Sequence, residues 1–61
     1  MAWAVRTVER TENGQSFWYV EHDHGSPAEF RRQLPHPGPY GSQGEAEKVA
    51  QQTRDFFDAQ P

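Results

Sequence analysis

His22-Asp23-His24 brings together the residue types best suited to chemistry in this chain. On a strand, residues two apart point to the same side, which sets the two imidazoles roughly 6.5–7 Å apart along the backbone. That is a workable span for two ligands on one metal ion, and His36 is available as a third. Zinc takes four protein ligands in a structural site, or three and a water in a catalytic one. No fourth candidate stands near these three in the sequence. His22, His24 and His36 are therefore weak metal candidates, and solvated or hydrogen-bonded rings are the expectation. No cofactor is expected.

Other chemistries have less to build on. Acid–base catalysis needs two carboxylates in a shielded cleft with their pKa values held apart. Glu9, Glu12, Glu21, Asp23 and Glu29 are available, but a sheet this small encloses no deep cleft. There is no cysteine, hence no thiol nucleophile, disulfide framework or thiolate metal site. Ser16, Ser26 and Ser42 stand in turn or capping contexts that already account for them. Gly38, Gly41 and Gly44 are separated by Pro39 and Tyr40, without the Lys-Ser/Thr that completes a phosphate loop. No residue is assigned a catalytic role, and the expectation is a protein that is not an enzyme.

The composition sets the scale. Sixty-one residues make one small domain, and a chain of this size buries only about 60% of the surface its unfolded form exposes. Hydrophobic residues make up 33% of the chain and the mean hydropathy is −1.09, so the core must be lean. Order is still expected, because Trp3, Phe17, Trp18, Tyr19, Phe30, Tyr40, Phe56 and Phe57 are spread along the length. The formal charge of −3 does not favour nucleic acid or an anionic membrane, which call for a positive footprint. No apolar run reaches the roughly 18–20 residues of a membrane span, and the first residues lack the basic and apolar regions of a secretory signal. A cytoplasmic location is the default expectation.

Local signals define the elements that must position any site. Residues 2–11 and 16–23 are rich in β-branched and aromatic types, and Asn13-Gly14 between them is the strongest short signal for a type I′ turn. A β-hairpin is predicted over 2–23. Residues 26–34 carry mixed signals. Ser26, Pro27 and Glu29 suggest a helix start, whereas Phe30, Arg32 and Leu34 alternate as a strand does; an edge strand over 29–34 is the preferred reading. The loop 35–41, with Pro35, Pro37 and Pro39, supports neither regular structure.

Beyond it, Ser42 and Glu45 have the spacing of a capping box. Ala46, Val49, Ala50, Thr53, Phe56 and Phe57 then form one apolar stripe along a helix predicted over 43–59. Gly38-Pro-Tyr-Gly-Ser42 followed by Glu45-Ala46 resembles the loop-to-helix junction of several small bacterial sheet-plus-helix domains, peptidoglycan-binding SPOR domains among them. The resemblance covers this stretch alone. The chain lacks the strand–helix repeat of such domains, and nothing of their function is carried over. The fold class expected is α+β: a two- or three-stranded antiparallel sheet with one C-terminal helix packed on one face.

The turn also sorts the side chains. With Asn13-Gly14 at the tip, opposed residues have numbers that sum to 27. One face then carries Trp3, Val5, Thr7 and Glu9 with Trp18, Val20, His22 and His24, and is the better seat for the helix. The other carries Ala4, Arg6, Val8 and Arg10 with Phe17, Tyr19, Glu21 and Asp23. A single helix leaves that second face bare, and an apolar patch with a polar rim marks an interaction surface. Arg6, Val8, Arg10, Phe17 and Tyr19 are the candidate contact residues, with Arg6 opposite Glu21 in a cross-strand ion pair. The alternative for the same face is that the arginine stems lie over the rings and close it. The function expected is a non-enzymatic interaction module that binds a protein partner or a second copy of itself. A less favoured use of the same face is nucleic-acid binding by aromatic stacking and arginine contacts, and a third is a small inhibitor docking on a larger protein. No membrane partner is expected.

Overall fold

A computed structural model describes residues 4–25 and 28–59, apart from the side chain of Phe30. The hairpin consists of β1 (Val5–Glu12) and β2 (Gln15–His22). Asn13 and Gly14 both have positive φ, 52° and 78°, as a type I′ turn demands of its two central residues. The register runs from Val5 opposite His22 to Glu12 opposite Gln15, so every pair sums to 27 as expected. Asp23 closes the open end: Ala4 N donates to its Oδ1 at 2.6 Å, and Asp23 N donates to Ala4 O at 3.2 Å. Trp3, the one tryptophan expected on β1, lies outside the described residues, as do the Ser26-Pro27 start signals.

The strand expected over 29–34 is not formed. Ala28–Arg31 is instead one helical turn, α1, continued by Arg32 N donating to Ala28 O at 3.1 Å and Leu34 N to Arg31 O at 3.1 Å. The reason lies on the outer edge of β2, which offers a single row of backbone groups. The proline-rich loop takes them. Trp18 N donates to Tyr40 O at 2.9 Å, Tyr40 N to Trp18 O at 2.8 Å, and Val20 N to Pro37 O at 2.8 Å. Pro37 supplies only its carbonyl there, so its missing N–H costs nothing. Segment 37–40 thus acts as a strap along the strand without being a regular strand. Gly38 is buried within it at φ 132°. A Cβ at that position would stand 2.9 Å from Trp18 O and 3.0 Å from Tyr19 Cδ1.

Helix α2 (Gln43–Asp58) begins at Ser42, whose Oγ accepts from Glu45 N at 3.3 Å. The reciprocal bond of a capping box, from Ser42 N–H to the Glu45 carboxylate, is not formed among the described residues. The helix lies on the face carrying Val5 and Val20. Ala46 and Ala50 are 0% exposed, and with Val5, Val20 and Phe57 they form the core. Trp18, Leu34, Tyr40, Val49 and Phe56 pack around it, half-buried. Thr53 is buried too, its hydroxyl satisfied by donating to Val49 O at 2.9 Å. Two polar clamps tie α2 to β1: Thr7 Oγ1 donates to Glu47 Oε1 at 3.0 Å, and Arg54 Nη2 donates to Val5 O at 2.9 Å.

The molecule is long, 41 Å by 20 Å by 19 Å, with a radius of gyration of 12.2 Å against about 10.5 Å for a compact chain of its length. Residues 9–16, the turn end of the hairpin, are all exposed. Because the strap depends on one glycine, Gly38→Ala is expected to destabilise the fold by about 1–3 kcal/mol through left-handed strain and the clash with Trp18 O. Urea denaturation followed by tryptophan fluorescence measures it; an unchanged midpoint would show that the strap carries no stability.

Candidate interaction surface

The face away from α2 carries Arg6, Val8, Arg10, Phe17, Tyr19 and Glu21, as their register positions require. Val8, Phe17 and Tyr19 are half-buried, and Arg6 and Arg10 are exposed. Glu21 is the hub of its polar groups. The expected partner Arg6 stands 3.6 Å from Glu21 Oε1, while Arg10 reaches diagonally to Oε2 at 2.5 Å. On that path the Arg10 guanidinium carbon lies 5.7 Å from the centre of the Tyr19 ring, within the range of a cation–π contact. Both pairs are solvent-accessible, so each contributes about 0.2–1 kcal/mol. Their effect is mainly to hold two long side chains in place.

Glu12, near the turn, belongs to the same surface. Tyr19 Oη donates to Glu12 Oε1 at 3.0 Å. That hydrogen bond holds the phenol above its ordinary pKa, aided by slight desolvation and the carboxylate charge and opposed by Arg10. Glu12 and Glu21 therefore pin the two ends of a small aromatic platform. Sequence reasoning placed Glu21 beside Arg6 but missed Glu12, which sits next to the turn and whose side chain reaches Tyr19 only by leaning along the strand.

The histidines are spent differently. His24 stacks on Phe57 with ring centres 4.1 Å apart and planes 3° from parallel, and His22 meets the same ring edge-on at 5.0 Å. His22 Nδ1 accepts from His24 N at 3.2 Å, and His36 Nδ1 accepts from Gly38 N at 3.1 Å. Asp23 is engaged with Ala4. Among the described residues no three His, Asp or Glu side chains converge as metal ligands would, so the structure does not bring His36 to the other two.

A hollow of about 210 Å³ opens where β2, α1 and α2 meet. Its walls are Val20, Leu34, Pro35 and Pro37, with His22, Arg31 and Thr53 as the polar lining. Nothing in the sequence pattern announces this grouping, because it exists only once the strap has laid Pro35 and Pro37 along β2. Among the described residues no helix is long and apolar enough to cross a membrane. In comparison with known proteins, no family model, curated protein or solved structure matches the chain.

Partial burial against Phe57 lowers the His22 pKa, with the charges of His24 and Arg31 adding to the effect and Asp23 opposing it. The folded ring therefore takes a proton less readily than the unfolded one, whose pKa is about 6.5. Its contribution to stability is full above about pH 6.5 and is lost as the pH falls toward the lowered folded value. The urea midpoint should drop between pH 7.5 and 5.0, and His22→Gln should lessen that drop. An equal drop in the variant would assign the acid sensitivity elsewhere.

Proposed function

We propose that this protein is a non-enzymatic interaction module that binds a protein, a second copy of itself included, through the sheet face opposite α2. The observation that supports this reading is the one-sidedness of the packing. The core residues Val5, Val20, Ala46, Ala50 and Phe57 all lie on the helix side, while Val8, Phe17 and Tyr19 on the other side have no second layer over them among the described residues. Aromatic residues and arginine supply most interface hot spots, and this face has both within one small area. Phe17 and Tyr19 are the anchors in this reading, with Arg6 and Arg10 orienting the partner.

The charge arrangement favours protein over nucleic acid as the occupant. Both arginines already share Glu21, and a phosphate would have to compete with that carboxylate and approach Glu12 as well. A protein surface with its own acidic and polar groups can join the network instead, as interface rims do.

Replacing Phe17 and Tyr19 together by Ser is expected to weaken self-association at least about tenfold while leaving the far-ultraviolet circular dichroism unchanged. Sedimentation equilibrium across a concentration series reads it. A wild-type chain that stays monomeric at millimolar concentration would remove the second copy as partner, and an equal association constant in the variant would move the contact off this face.

A further inference from the structure

The hollow between β2, α1 and α2 holds polar chemistry that the fold does not use. Of its three polar side chains, Thr53 already donates its hydroxyl proton to Val49 O. The other two are donors. Arg31 carries a fixed positive charge and is exposed at the end of α1. The ion pairs among the described residues involve Arg6 and Arg10, so Arg31 meets no carboxylate there. His22 accepts at Nδ1 from His24 N, which puts the proton of its neutral ring on Nε2, a further donor. The charged and titratable groups acting on His22 are His24 and Asp23 on its own segment and Arg31 on α1; α2 presents the Phe57 ring to it.

The rest of the lining is hydrocarbon: Val20, Leu34, Pro35 and Pro37. No Asp or Glu is among the described lining residues. A volume of about 210 Å³ has room for about seven water molecules at about 30 Å³ each. It is smaller than the roughly 300–1,000 Å³ of sites for drug-sized ligands. A single ring or a short branched chain matches it in bulk.

From this combination we infer that the hollow binds a small apolar carboxylate, its hydrocarbon body against Val20, Leu34, Pro35 and Pro37 and its carboxylate on Arg31, with His22 Nε2–H as a second donor. The planar fork of arginine suits a carboxylate geometrically as well as electrically. A neutral amide of the same shape fills the walls equally well but offers Arg31 one acceptor oxygen in place of two and no opposite charge, so the site discriminates by charge at one end and by size at the other. The site lies on the helix side of the sheet and does not depend on the bare face having a partner.

Benzoate and benzamide, equal in size and differing in charge, are the probes. Titrated into the ¹⁵N-labelled protein, benzoate should shift the amide signals of Val20, His22 and Leu34 and saturate in the millimolar range, a strength in keeping with so small a ligand. Benzamide should bind about tenfold more weakly, and Arg31→Gln should weaken benzoate about tenfold while leaving signals elsewhere in place. Equal shifts from the two probes, shifts that never saturate, or undiminished benzoate binding by Arg31→Gln would each overturn the assignment. Should the variant disturb the whole spectrum, the contrast between the two probes on the unsubstituted protein decides the matter.

Discussion

Ala46 and Ala50 allow the backbone of α2 to lie directly against the sheet, and the rest of the structure follows from that close approach. Each has a single side-chain carbon and each is fully buried. Val5 and Val20 meet them from the strands, and Phe57 closes the far end between His22 and His24. Larger residues at 46 or 50 would lift the helix, stretching Thr7 from Glu47 and Arg54 from Val5 O. Such overpacking typically costs about 1–3 kcal/mol, a serious loss for a domain whose core, among the described residues, consists of five hydrophobic side chains.

The second constraint is the strap along β2. An edge strand exposes backbone groups that invite pairing with other chains, and residues 37–40 use those of Trp18 and Val20 internally. This contact also shapes both candidate surfaces. On one side Gly38 backs the Tyr19 ring; on the other Pro35 and Pro37 wall the hollow over His22. One loop therefore sits between two surfaces of different chemistry: an aromatic, charge-balanced face and a small apolar pocket with the Arg31 cation and the neutral His22 ring as its donors.

Electrostatics on the bare face is local and self-contained. Arg6 and Arg10 answer Glu21, and Glu12 answers Tyr19. Arg10 and the Tyr19 ring it lies over are held together, so part of the apolar area is shielded as long side chains commonly shield it. The proposed partner thus meets an ordered platform rather than loose chains, which reduces the side-chain entropy lost on binding.

The hairpin and its register were legible because they rest on local rules, whereas the choice of covered face was settled only by the packing of α2 on Val5 and Val20. Asn13-Gly14 has φ values few other pairs adopt readily, and strand alternation then assigns each side chain to one side. The stripe from Ala46 to Phe57 is legible for the same reason, as a period in the sequence. Residues 28–34 were not. Their alternation was compatible with a strand, but strand formation needs a free edge, and the outer row of β2 was claimed by Pro37 and Tyr40, further along the chain. The Arg10–Glu21 diagonal, the stacking of His24 on Phe57 and the hollow beside Arg31 are likewise meetings of residues distant in sequence. Local spacing determines which way a side chain points; only the packing of helix, strap and sheet in three dimensions decides what it meets there.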